Sequence, residues 1–198
     1  MGSLPQNLVA GGLIMDPEGG PPISLPTKSV LLAESLAGWE PELVSDLGLR
    51  GRVAVVSDAT PEEVLGARVK RGLASLGRVI PILLPFHPKA DLETAEAIMA
   101  QAGEADALLA VGSVTINDLC KYAVARLERP YAVFTTAPSM NGYTSVNAAI
   151  TVQGLKKTLP AAGARGVFLD LKVLAAAPKR MILAGLGDSL CRSTAQAD

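Results

Sequence analysis

Short apolar, β-branched runs alternate along most of this chain with helical patterns, and this alternation constrains the fold more than any other feature. Arg52-Val-Ala-Val-Val-Ser57 is long enough and apolar enough for a buried strand. Thr60-Pro61-Glu62-Glu63 follows as a capping box with proline at the first helical position, and Leu65, Val69, Leu73 and Leu76 continue at helical spacing. The spacing then predicts a strand over Val79–Leu84 and a helix over 91–103. The clearest pair is a strand over 106–111 and a helix over 115–127. That helix carries Ile116, Leu119, Cys120, Ala123, Val124 and Leu127 as one apolar stripe. Arg129-Pro130 ends it, strands are expected over 30–32, 131–134 and 166–171, and residues 146–152 read as extended. Repeated βαβ units with right-handed crossovers imply an α/β fold, a mostly parallel sheet with helices on both faces.

Composition narrows the function classes. Of 198 residues, 49% are hydrophobic and 19% charged, which excludes a disordered chain. The net charge of −1 leaves no basic footprint for nucleic acid, and 4% aromatics supply few stacking platforms. No stretch approaches the roughly 18 apolar residues of a membrane span. The first basic residue is Lys28, so no signal peptide is read. Cys120 and Cys191 form no CxxC and fit reduced thiols, so the expected location is the cytoplasm. Residues 1–27 are Gly- and Pro-rich and are expected to be a flexible leader. The helical pattern after Pro178 runs to the last residue.

Open α/β sheets bind ligands beyond the carboxyl ends of their strands, and three such ends are informative. After the first long strand, Asp58 suits ribose hydroxyls and would repel a 2′-phosphate, which favours NAD over NADP; equally, it can serve only to start the helix. The turn Gly112-Ser113-Val114-Thr115-Ile116 enters a helix, whose free N–H groups suit a pyrophosphate, although it is neither GxGxxG nor a Walker loop. Five Thr and Ser hydroxyls and one amide crowd residues 135–145, a long loop of the kind that is functional or simply polar surface.

Three ordered motifs carry a resemblance. Ala110-Val-Gly-Ser-Val-Thr-Ile-Asn-Asp-Leu-Cys-Lys-Tyr122 is close to V-G-S-G-T-I-N-D-L-x-K-Y. Thr136-Ala-Pro-Ser-Met-Asn-Gly-Tyr-Thr-Ser145 is close to T-A-x-S-M-D-G-Y-T-S. Leu169-Asp-Leu-Lys-Val-Leu-Ala-Ala-Ala-Pro178 leads to Ala184-Gly-Leu-Gly-Asp-Ser189, close to A-D-L-x-V-L-x-x-A-P and A-G-x-G-D. With these the chain resembles the N-terminal half of the sn-glycerol-1-phosphate dehydrogenases, in the superfamily of iron-containing alcohol dehydrogenases, glycerol dehydrogenases and dehydroquinate synthases.

The resemblance implies a Rossmann-like nucleotide-binding domain over 28–178 and, over 179–198, the first helix of a truncated all-helical metal-binding domain. It implies NAD or NADP as cofactor, a divalent ion (zinc, with nickel or iron in some members), and dihydroxyacetone phosphate and sn-glycerol 1-phosphate as substrates. By resemblance, Gly112, Ser113, Val114, Thr115 and Ile116 hold the pyrophosphate. Asp58, Thr136, Ala137, Pro138, Ser139 and Ser145 contact ribose and nicotinamide. Asn141 and Asp188 stand at catalytic and substrate-binding positions, Asp188 also being the metal ligand, and Lys157 is a candidate substrate-phosphate contact.

This chain departs from that pattern in three ways. Val114 replaces a glycine, which would strain the turn if that position needs a positive φ. Asn141 replaces an aspartate. The single histidine, His87, lies before the nucleotide loop and matches neither metal-ligating histidine, so the isolated chain is expected to be inactive. Ile182, Leu183, Leu186 and Leu190 are expected to form an exposed apolar patch that promotes self-association or binds a C-terminal partner half. The alternatives are a non-catalytic nucleotide- or partner-binding paralogue, or another polyol dehydrogenase or dehydroquinate synthase-like enzyme.

Overall fold

The computed structural model describes Gly20 and residues 25–195, the side chains of 192–194 excepted. Apart from Gly20 and residues 25–27, the expected leader lies outside the described residues. In chain order the elements are β1 (Ser29–Ala33), α1 (Glu40–Asp46), β2 (Val53–Asp58), α2, β3 (Val79–Leu84), α3 (Leu92–Gln101), β4 (Ala107–Gly112) and α4 (Val114–Leu127). Then come β5 (Tyr131–Thr135), β6 (Asn147–Val152), β7 (Leu155–Pro160), β8 (Gly166–Asp170), α5 (Leu171–Ala175) and α6 (Lys179–Ala195). The helix α2 is built of Ala59–Pro61, a π-helical turn Glu62–Gly66, and Ala67–Leu73.

Six strands form one fully parallel sheet in the order β1-β8-β5-β4-β2-β3. The strand period of two divides the core into two layers. Ala54, Val56, Leu108 and Ala110 face α3, α4 and the hairpin, meeting Ala95, Ile98, Ile116, Leu119, Ala123 and Ile150. Val53, Val55, Leu109 and Val111 face the other way, onto Val44 of α1, Leu65, Val69 and Leu73 of α2, and Val173 of α5. Both faces are therefore covered, as an all-parallel sheet requires. The near-continuous apolar runs of β2 and β4 follow from that double burial.

One local expectation is corrected, and one is extended. The helix after β2 is not capped by Thr60: the Asp58 carboxylate accepts from the Thr60 N–H at 3.1 Å, and the helix begins at Ala59. The extended segment at 146–152 does not stand alone. It pairs with β7 in an antiparallel hairpin, with Val152 opposite Leu155. Gln153 (φ 52°) and Gly154 (φ 78°) make the turn, the double positive-φ pattern whose twist suits a two-residue hairpin.

Candidate functional site

From β2 the chain proceeds to β3 on one side, then crosses back to place β4 on the other side of β2. The connections therefore diverge between β2 and β4, the switch point at whose carboxyl ends open α/β sheets bind ligands. Asp58 ends β2 and Gly112 ends β4, so the first two loops singled out in the sequence flank this switch point.

The turn after β4 is tight because Gly112 lacks a side chain. A Cβ there would come within 2.6 Å of Ile116 Cγ1 and 2.7 Å of Ile116 Cβ. Ser113 is the N-cap of α4 in extended conformation, and no side chain caps the helix. Asn117 N donates to Ser113 O at 3.1 Å, leaving the N–H groups of the first turn without helical carbonyl partners. Val114 is the first residue of α4 and is absent from the positive-φ residues, so the strain anticipated there does not arise. A valine is compatible with this turn because the helix begins at that position.

Burial raises the Asp58 carboxyl from its ordinary value, and the Thr60 N–H and the charge of His87 oppose the rise. His87 sits just past β3 with φ 53°, its ring 3.9 Å from that of Phe86. Its neighbourhood to Asp58 is a feature that sequence reading missed, and no spacing rule would have found it.

The loop after β5 forms the third wall. Thr136 N donates to Gly112 O at 3.1 Å, tying it to the β4 turn. Tyr143 is buried, and its hydroxyl donates to Ala137 O at 2.7 Å, closing the loop on itself. Burial is the main cause that raises this phenol's pKa. Ala137 is buried, whereas Thr136, Pro138, Ser139 and Ser145 are half-buried.

Asn141 and Asp188, 47 positions apart, are brought together. Asn141 N donates to Asp188 Oδ2 at 2.7 Å, and Asn141 Nδ2 donates to the Asp188 carbonyl at 3.1 Å. This contact depends on Gly185, where any Cβ would collide with the carbonyl oxygen of Pro138. Gly185 thus lets α6 lie directly on the loop backbone. Lys157 stands exposed on β7, with no hydrogen bond or ion pair to the other candidates among the described residues.

Two further residues were missed. Lys121 is 1% exposed, and Asp118 is also buried, one turn earlier on α4. Burial lowers the lysine and raises the aspartate, each opposed by the other's charge. A Lys directly after Cys120, on a helix otherwise packed into the core, was the available clue. Among the described residues, no group of three or more His, Cys, Asp or Glu side chains converges as a metal site. Among the same residues, no helix is long and apolar enough to cross a membrane.

Comparison with known proteins places this geometry. The family model described as iron-containing alcohol dehydrogenase matches residues 32–178. A glycerol-1-phosphate dehydrogenase [NAD(P)+] of Bacillus licheniformis is 32% identical over 152 residues, covering 74% of this chain and 38% of that protein. The crystal structure of glycerol dehydrogenase from Schizosaccharomyces pombe superposes with a TM-score of 0.72 at 19% identity. It covers 83% of this chain and 42% of its own. A 2-deoxy-scyllo-inosose synthase, crystallised with carbaglucose-6-phosphate, NAD+ and Co2+, superposes at 0.65 with 18% identity, covering 79% of this chain and 46% of that one. The chain thus spans less than half the length of these relatives.

Proposed function

The chain belongs to the iron-containing alcohol dehydrogenase family, and from that premise we propose that it is the nucleotide-binding part of an NAD(P)-dependent sn-glycerol-1-phosphate dehydrogenase. The reaction proposed is dihydroxyacetone phosphate and NAD(P)H to sn-glycerol 1-phosphate and NAD(P)+, in the cytoplasm. Residues 28–178 are the nucleotide domain in this reading, and 179–198 begin a helical one. The carrying observation is the uncapped N-terminus of α4, opening at the switch point beside Asp58.

In this reading the N–H groups of Val114, Thr115 and Ile116 receive the pyrophosphate, helped by the positive helix end. Gly112 and Ser113 let the backbone come close. Asp58 accepts from ribose hydroxyls with the lone pairs that Thr60 leaves open, which favours NAD over NADP. Thr136, Ala137, Pro138, Ser139 and Ser145 line the nicotinamide side, and the cofactor supplies the hydride. Asn141 hydrogen-bonds the substrate hydroxyls, and its amide cannot take a proton as a carboxylate would. Lys157 is the weakest assignment, a substrate-phosphate contact resting on resemblance alone.

A divalent ion does not fit the residues described. Asp188 is the one ligand offered, its carboxylate already accepts from Asn141 N, and a catalytic site takes about three protein ligands. In this reading the 198-residue chain binds nucleotide without turnover. A second reading, a non-catalytic nucleotide- or partner-binding paralogue, is favoured by Asn141 standing where the family pattern has aspartate.

The test is a fluorescence titration of the 198-residue chain with NADH and with NADPH. Saturable binding, tighter for NADH, supports the assignment of the α4 turn and Asp58. A folded chain that binds neither dinucleotide refutes it.

A further inference from the structure

We infer that Lys121 is a positioning residue, holding Asn141 in register with Asp188; its importance to chemistry rests on the substrate-side reading of Asn141 given above. An ammonium removed from water is costly unless its three protons and its charge are matched. Here all are matched by groups outside Lys121's own turn or one turn away. Nζ donates to Gly142 O at 2.6 Å, Ser145 Oγ at 2.8 Å and Asn147 O at 3.3 Å. The Asp118 carboxylate lies 3.8 Å away and also accepts from Ala149 N at 3.2 Å.

Every one of these partners except Asp118 lies in one stretch, 142–149, which leads from the β5 loop into β6. A lysine placed only to fill the core would be replaceable by an apolar side chain. This one instead ties a connector, exposed or half-buried apart from Tyr143 and Ala148, into a fixed arc. The arc begins at Gly142, and the residue before it, Asn141, makes the two bonds to Asp188. Contacts therefore run without interruption from α4, whose first turn is the proposed phosphate site, through Lys121 and Gly142 to Asn141 and α6. In that reading, the helix that receives the nucleotide also sets where the side-chain amide of Asn141 stands.

The experiment uses isotope-labelled 198-residue chain and its Lys121→Met, Lys121→Arg and Ser145→Ala variants. Two things are read: amide hydrogen exchange, and the NMR resonance of the Asn141 side-chain amide. Lys121→Met is expected to speed exchange at the Asn141 and Ser145 amides at least tenfold and move the Asn141 side-chain resonance to its solvent position. The β4 amides should stay protected. Lys121→Arg should retain most of the signature, and Ser145→Ala should shift it part of the way. An unchanged Asn141 resonance in a folded Lys121→Met chain overturns the inference, as does protection lost equally in β4. Should Lys121→Met not fold, Ser145→Ala decides on the same two criteria. NADH titration of the parent chain tests the proposed function separately, because the Asn141 signature is read without nucleotide.

Discussion

Replacing Gly112 with Ala should destabilise the protein and weaken nucleotide binding together, because one collision drives both. The new Cβ would sit 2.6 Å from Ile116 Cγ1 and 2.7 Å from Ile116 Cβ, whereas carbon atoms pack at about 3.5–4.0 Å. A rotamer change at Ile116 can move Cγ1 but not Cβ, so the first turn of α4 must retreat by about 1 Å. Ile116 is fully buried, and overpacking at such a position costs about 1–3 kcal/mol, or roughly 2–12 °C in Tm for a chain of this size. The same retreat moves the N–H groups of Val114, Thr115 and Ile116 from the proposed phosphate position. Urea denaturation followed by circular dichroism, with NADH titration beside it, reads both effects. Truncating the neighbour, Ile116→Ala, should not rescue Gly112→Ala, because the offending Cβ remains. Rescue by that double variant would show that the side chain and not the helix axis is the obstacle, and would refute the reasoning.

Asp170 accepts from Leu36 N at 3.0 Å, Lys172 N at 3.1 Å, Val173 N at 3.4 Å and Arg68 Nη2 at 2.8 Å. Burial pushes its pKa up, but the Leu36 N–H, Arg68 and Val173 N–H together bring it below the ordinary 3.8. The unfolded chain then binds this proton first, so the stabilisation is full above about pH 4 and is lost as pH falls through the folded value. Asp170→Ala should cost about 1–3 kcal/mol at neutral pH, by taking the acceptor from the buried Leu36 and Val173 N–H groups while Arg68 keeps Glu40, and flatten the acid limb of a stability-against-pH curve; an unaltered acid limb would contradict this. On α6, Leu186 and Leu190 are 56% and 61% exposed. Leu186→Glu with Leu190→Glu should lower dye fluorescence and any self-association seen by sedimentation velocity, and equal dye binding in both forms would count against the patch.

The strands β2 and β4 were legible because both their faces are buried, which leaves uninterrupted β-branched and apolar runs. Helix α4 was legible because its stripe from Ile116 to Leu127 keeps helical spacing. The hairpin strand β7 was missed because Lys156, Lys157 and Thr158 are exposed, so the strand shows no apolar face to read. Its signal was Gly154, whose positive φ makes the turn. At the candidate site, the switch-point loops could be named because strand ends carry function in this fold class. The pairing of Asn141 with Asp188 is a tertiary fact, set by Gly185 lying against the Pro138 carbonyl. Lys121 escaped because its acceptors are mostly main-chain carbonyls, which no side-chain pattern encodes.

The position of β1 bears on how the molecule is made. This strand touches only β8 in the sheet, and Leu36, just beyond it, is bonded to Asp170 across a separation of 134 residues. A ribosome adding about 5–20 residues each second needs on the order of ten seconds to supply that partner. Through that interval β2, β3, β4 and β5 can assemble in the order they emerge, while β1 waits for its sheet neighbour, β8. Among the six strands of the sheet, β1 is thus the last to be seated.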